Sequence, residues 1–219
     1  MDAVTFTTRD GARLEGELRL PDAAPRGGAA LCHPHPRRGG SKDHPLLWAI
    51  RNELAGVRGL AVLAFNFRGV MGSGGTYGGG RDELLDATAA VTELRRHVPE
   101  PAPIVLVGWS FGANVAVRAA IDDRRVAALA LVGLPLAPGD LALPPLPDAS
   151  DLRALRRPVL LLAGEHDAFA PTEQLTTYAG AFPDARAVVI PGTDHYFWHR
   201  EPEAAGVIGD FVDGVLTPR

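Results

Sequence analysis

The chain has 219 residues, with 22 basic and 26 acidic side chains, a net charge of −4 and 46% hydrophobic positions. This length predicts one domain over residues 1–219, and near-neutral charge without a run of Lys or Arg argues against nucleic acid as a partner. Cys32 is the single cysteine, residues 1–20 lack a signal-peptide pattern, and no apolar run reaches the roughly 18 residues of a membrane span, so we expect a cytoplasmic protein with no membrane partner.

The first predicted element is a β-hairpin. Residues 4–8 and 13–20 alternate apolar and polar side chains around a turn signal at residues 9–12. Later apolar segments are short and continuous, as strands buried on both faces must be. They are residues 29–32, 60–65, 104–107, 127–132, 159–163 and 187–190.

Helical patterns alternate with these strands, which predicts a mostly parallel, doubly wound sheet with helices on both faces. The fold class is therefore α/β with an N-terminal antiparallel hairpin. Residues 133–158 are rich in proline and suit a short wrapping loop better than a cap domain. The predicted helices cover residues 45–54, 81–98, 111–121, 172–182 and 201–215.

Gly108-Trp109-Ser110-Phe111-Gly112 lies where the strand at 104–107 meets the helix at 111–121. A serine on so sharp a turn has a strained backbone, which requires residues with almost no side chain two positions before and after it. The turn would lift the hydroxyl above the sheet, beside the positive end of the helix. Ser110 is therefore the predicted nucleophile, and the alternative is a glycine-rich helix entry with an incidental serine.

A serine hydroxyl needs a base, and the base needs an orienting acid. Asp167 follows the strand at 159–163 and His195 follows the strand at 187–190. The order Ser, Asp, His is one in which this catalytic triad recurs. Asp167 could instead cap the helix that follows it. Other candidates are Glu165 and Asp194 for the acid, and His97, His166 and His199 for the base.

The elbow, the residue order and the element pattern resemble the α/β-hydrolase superfamily over nearly the whole chain. HPHP at 33–36, FNFRG at 65–69 and GTDHYF at 192–197 are similar to motifs of small, lidless bacterial members related to dienelactone hydrolases. The resemblance implies an α/β-hydrolase fold without a cap domain and a structural role for Arg68. Dienelactone hydrolases use a cysteine at the elbow, so Ser110 means that their substrate is not implied.

Acyl transfer also needs backbone N–H groups that bind the oxyanion. Phe111, directly after the nucleophile, should supply one. The second should come from the loop after residues 29–32, where the prolines of the HPHP motif have no N–H. His35 and Arg37 are then the candidates. In the superfamily the donor lies two residues after a loop histidine, which selects Arg37 if that histidine is His35 and His35 if it is His33; we favour Arg37.

Two motifs have rival interpretations as binding sites. His33 and His35 could ligate a metal with Asp43 or His44, but no further ligands stand at familiar spacings. The glycine-rich residues 69–80 lack both G-x-G-x-x-G and a following G-K-[ST]. We therefore expect neither a metal nor another cofactor.

The sequence predicts a serine hydrolase that cleaves a small carboxylic ester through an acyl-enzyme. Thioesters, lactones and small amides use the same triad, and a non-catalytic binding protein of this fold is the alternative class. No pattern marks a dimer face, which leaves the oligomeric state open. Candidates to line an apolar acyl pocket are Trp109, Phe111, Tyr196, Phe197, Trp198 and the loop at 134–146.

Overall fold

The computed structural model describes residues 2–217, which form an eight-stranded sheet in the order β1-β2-β4-β3-β5-β6-β7-β8. The hairpin strands β1 and β2 are antiparallel, β2 pairs antiparallel with β4, and all pairs from β4 to β8 are parallel. The strands are β1 (Asp2–Thr7), β2 (Arg13–Arg19), β3 (Gly28–Cys32), β4 (Ala61–Phe65), β5 (Ile104–Trp109), β6 (Val126–Val132), β7 (Val159–Gly164) and β8 (Ala185–Ile190).

Helices cover both faces of the sheet. Those on one face, α2, α3, α4 and α5, enclose one apolar core, while α1 and α6 enclose the other. Every residue of β3, β4 and β5 is buried, which explains why their sequences are continuously apolar. The helices are α1 (Pro45–Asn52), α2 (Glu83–Arg95), α3 (Phe111–Asp122), α4 (Ala149–Ala154), α5 (Thr172–Ala179) and α6 (Glu201–Leu216).

The predicted fold is confirmed, and the differences concern short elements and helix ends. The helix predicted over residues 81–98 covers only Glu83–Arg95, and α1 is followed by a π-helical segment over Glu53–Val57. The proline-rich stretch contains α4, which was not predicted; the Asp148 carboxylate caps this helix by accepting from the N–H groups of Ser150 and Asp151. Within residues 2–217, no helix is long and apolar enough to cross a membrane.

Candidate active site

Ser110 lies on the tight turn between β5 and α3. Its φ of 57° and ψ of −118° are rare for a residue with a side chain, and its N–H donates to the Val132 carbonyl at 2.8 Å. A Cβ on Gly108 would lie 2.3 Å from the Gly112 oxygen, and one on Gly112 would lie 2.1 Å from the Cys32 oxygen. Both positions therefore require glycine, as the elbow motif predicted.

The structure brings Ser110, His195 and Asp167 together at the carboxyl ends of β5, β7 and β8. His195 Nε2 lies 2.9 Å from Ser110 Oγ, and His195 Nδ1 lies 2.8 Å from Asp167 Oδ2. Ser110 is 5% exposed and His195 is 7% exposed, so the pair is largely shielded from water yet reachable. Such a chain of hydrogen bonds can move a proton from the hydroxyl to the imidazole while the carboxylate holds the ring.

Backbone groups fix the acid and the base in place. Asp167 Oδ1 accepts from the N–H groups of Phe169 at 2.9 Å and Ala170 at 3.0 Å, which leaves Oδ2 for His195. The carbonyl of His195 accepts from Trp109 Nε1 at 3.1 Å. This last bond was not predicted; the tryptophan inside the elbow motif, beside the nucleophile, is the one feature of the sequence that points to it.

The other candidates for acid and base are engaged elsewhere. Glu165 accepts from the Gly192 N–H at 2.8 Å, and Asp194 accepts from the Tyr196 N–H at 2.9 Å. His97 bonds to Glu93 near the end of α2. Both remaining histidines, His166 and His199, are exposed on loops.

The contacts in the loop after β3 bear on the choice between Arg37 and His35 as an oxyanion donor. The Arg37 N–H donates to His35 Nδ1 at 3.2 Å, which closes the 3₁₀ turn Pro36–Arg38, and the Arg37 guanidinium lies 4.7 Å from the centre of the Tyr77 ring. Arg37 does not line the cavity at Ser110, whereas His35 does. Among the described residues, the N–H groups of His35 and Phe111 have no protein acceptor. These contacts favour His35, the second candidate from the sequence, over Arg37 as the donor.

His33, the first histidine of the HPHP motif, makes structural contacts. His33 is buried; its Nε2 accepts from the Phe67 N–H at 3.0 Å and its Nδ1 donates to the Pro34 carbonyl at 2.7 Å. Burial lowers the pKa of His33 to about 4, so the ring is neutral at pH 7. Within residues 2–217, no group of three or more His, Cys, Asp or Glu side chains is arranged to hold a metal ion.

A carboxylate fills the glycine-rich loop at residues 69–80. The buried Glu83 accepts from the N–H groups of Gly78 and Gly80, both at 2.7 Å. The Glu83 carboxylate therefore occupies the backbone N–H groups that a bound phosphate would need. Arg68, just before the loop, bonds to Asp86 and Asp10 and ties β4 to α2 and the hairpin turn.

A cavity of about 100 Å³ opens at Ser110. Of the aromatic residues proposed for an apolar pocket, Trp109 and Tyr196 line it, while Phe111 and Phe197 are buried in the two cores. A larger cavity of about 640 Å³ lies between β1, α2 and α3 and contains none of the three catalytic candidates. The remaining side chains at the Ser110 cavity are Pro34, His35, Arg38, His44, Leu141, Phe169 and His195.

Comparisons with known proteins agree with this architecture. A family model described as an alpha/beta hydrolase domain matches residues 30–206. The structure of an alpha-beta serine hydrolase homologue from Coxiella burnetii is 27% identical with a TM-score of 0.82, over 95% of this chain and 96% of that one. A lidless alpha/beta serine hydrolase from Xanthomonas campestris is 25% identical with a TM-score of 0.81, over 100% and 96%. An uncharacterized protein from Rickettsia prowazekii is 25% identical, over 97% of this chain and 89% of its own length.

Proposed function

Because the chain belongs to the alpha/beta hydrolase domain family, and its serine hydrolase relatives support a hydrolase activity, we propose that it cleaves carboxylic esters through an acyl-enzyme on Ser110. The observation that carries this proposal is the pair of hydrogen bonds, 2.9 Å and 2.8 Å, that joins Ser110 to His195 and His195 to Asp167. The substrate is a small-molecule ester, and the cavity of about 100 Å³ at Ser110 takes its reacting end.

In the acylation step, Ser110 Oγ attacks the ester carbonyl and its proton passes to His195 Nε2. Asp167 accepts a hydrogen bond from Nδ1 and stabilises the imidazolium that forms. The carbonyl oxygen becomes an oxyanion, which the N–H groups of Phe111 and His35 bind. The tetrahedral intermediate then collapses, the bond to the alcohol oxygen breaks, and His195 returns the proton to the leaving alkoxide.

Deacylation repeats these proton transfers with water as the nucleophile. His195 Nε2 takes a proton from water as its oxygen attacks the acyl-Ser110 carbonyl, and the same N–H groups bind the second oxyanion. Collapse releases the carboxylic acid and returns the proton to Ser110 Oγ. Each N–H is worth about 10²–10³ in rate in comparable enzymes.

Labelling with a fluorophosphonate, together with hydrolysis of p-nitrophenyl acetate and p-nitrophenyl octanoate, tests the proposal. The wild type should be labelled and hydrolyse the acetate, and Ser110→Ala should do neither. Ser41→Ala is the matched control, since Ser41 lies in a loop outside the cavity lining. Labelling that persists in Ser110→Ala would assign another nucleophile, and a wild type that neither labels nor hydrolyses an activated ester would refute the proposal.

A further inference from the structure

An exposed aromatic surface adjoins the mouth of the Ser110 cavity. Tyr196 is 45% exposed and Trp198 is 51% exposed, and their rings stack with centres 6.1 Å apart at an angle of 19°. The His44 ring contacts Trp198, with centres 5.8 Å apart, and also the buried Trp109, at 4.2 Å. We call Tyr196, Trp198 and His44 the aromatic shelf.

The backbone on either side of the exposed Trp198 ring has an unfavourable conformation. Phe197 and His199, on either side of Trp198, have φ values of 56° and 63°, in the left-handed region that residues other than glycine rarely adopt. Phe197 points inward and is fully buried, so the segment alternates between core and solvent. Adjacent exposed aromatic rings are uncommon on a surface that contacts only water, because leaving them exposed forgoes their burial.

The aromatic shelf is continuous with the catalytic cavity. Tyr196 and His44 line the cavity as well as forming the shelf, and the Tyr196 ring lies edge-on to the His195 ring with centres 5.6 Å apart. At about 100 Å³ the cavity is smaller than the roughly 300–1,000 Å³ of a typical ligand pocket. A substrate as large as a typical ligand therefore extends out of the cavity, and the shelf borders its mouth.

The chemistry of acylation decides which part of the ester reaches the shelf. His195 must protonate the leaving alcohol oxygen, so the alcohol portion passes the His195 ring. Phe169 flanks this ring with centres 4.8 Å apart and Tyr196, the more exposed of the two, with centres 5.6 Å apart, so the path out of the cavity on this side runs past Tyr196. Building on the proposed esterase function, we propose that the shelf binds an aromatic ring carried by the alcohol portion of the substrate. The natural substrate class is then an ester of a small acid with an arylalkyl alcohol.

Two isomeric esters test this proposal, 2-phenylethyl acetate and methyl 3-phenylpropanoate, because they carry the same phenylethyl group on the alcohol side and on the acyl side. The wild type should show the higher kcat/KM for 2-phenylethyl acetate. Trp198→Ala should lower the ratio of the two kcat/KM values about five- to tenfold, the size of an aromatic pair interaction. Trp198→Phe, which keeps a ring, should restore most of the ratio.

Trp48→Ala is the matched control. Trp48 is a tryptophan on α1 that is 56% exposed, and it has no ring contact with the shelf in the described part of the chain. In Trp48→Ala, the ratio of the two kcat/KM values should stay within twofold of the wild-type ratio. A ratio that is unchanged in Trp198→Ala, or equal losses on both esters, would overturn the proposal.

Saturation-transfer NMR with 2-phenylethanol gives a readout that needs no turnover. Signal from the phenyl protons should be present with the wild type and with Ser110→Ala, and weaker with Trp198→Ala. If the wild type hydrolyses no ester but gives this pattern of NMR signals, the proposed function is refuted and the aromatic shelf is supported. If Trp198→Ala changes the oligomeric state and leaves the ester ratio and the NMR signal unchanged, the surface binds a second copy of the chain and the proposal is wrong.

Discussion

Gly133 lies directly against the ring of His195. A Cβ on Gly133 would lie 2.9 Å from both Cε1 and Nδ1 of His195 and 3.1 Å from Asp167 Oδ2. Its φ of 52° is also in the region that favours glycine. The residue directly after β6 thus fixes how closely the base and the acid approach the sheet.

Gly133→Ala should therefore displace His195 and lower kcat/KM for p-nitrophenyl acetate by about 10²-fold or more, since misplacement by about 1 Å can cost that much. Gly139→Ala is the control: its φ is 59°, but nothing lies within 4 Å of the added Cβ. Gly139→Ala should lose about 1–2 kcal/mol of unfolding free energy in urea, because alanine is forced into a left-handed conformation. Gly133→Ala should lose at least as much, since its Cβ also meets His195. Equal activities in the two variants would contradict the role of Gly133.

Asp167→Asn should lower kcat about 10³–10⁴-fold, because an amide cannot stabilise the imidazolium and can hold the ring in the wrong tautomer. Asp194→Asn is the matched comparison, as the Asp194 carboxylate lies beside His195 in the sequence but accepts from the Tyr196 N–H of its own loop. We expect its kcat to change by less than about tenfold. A larger effect at Asp194 than at Asp167 would reassign the acid.

Proline substitution tests the oxyanion donor. His35→Pro removes one N–H, and the φ of −54° at His35 already suits proline. We expect kcat/KM to be about 10²–10³-fold lower than in His35→Ala, which loses the same imidazole but keeps the N–H. Arg37→Ala should stay close to wild type, and equal activities of His35→Pro and His35→Ala would exclude this donor.

His33 should make stability depend on pH. Burial holds its folded-state pKa at about 4, against about 6.5 in the unfolded chain, so between these values the unfolded state binds the extra proton. Stability should fall as pH drops through this window, by about 2 kcal/mol between pH 7 and pH 5. Urea unfolding of wild type and His33→Gln at both pH values measures it, and a variant with the same pH dependence as wild type would contradict the role of His33.

The strands and long helices could be predicted because their physical signals are local. A strand buried on both faces must be apolar throughout, and β3 to β7 are apolar over nearly their whole length. Ser110 could be singled out for a similar reason, since an elbow at that strand end leaves room only for glycine two positions away on either side.

Short elements and distant contacts could not be predicted in this way. The helix Ala149–Ala154 is only six residues long, too short for a periodic pattern, and it follows a run of prolines. In the 3₁₀ turn at Pro36–Arg38, the Arg37 N–H donates to the His35 ring. This hydrogen bond depends on where the His35 ring lies, which the spacing of residues in the sequence does not reveal. Likewise, the contact of Gly133 with His195 joins two strand ends that only the folded sheet brings together.

The position of β8 at the edge of the sheet determines how the protein loses activity in denaturant. Among residues 2–217, β8 is the last strand of the sheet and pairs only with β7. It is largely half-buried or exposed, whereas Ser110 follows the buried β5. His195 lies in the segment just past β8, so local opening of this edge would separate base from nucleophile while the interior strands stay paired. Mild denaturant should therefore abolish hydrolysis before the circular dichroism signal changes. On refolding, the circular dichroism signal should return before the activity.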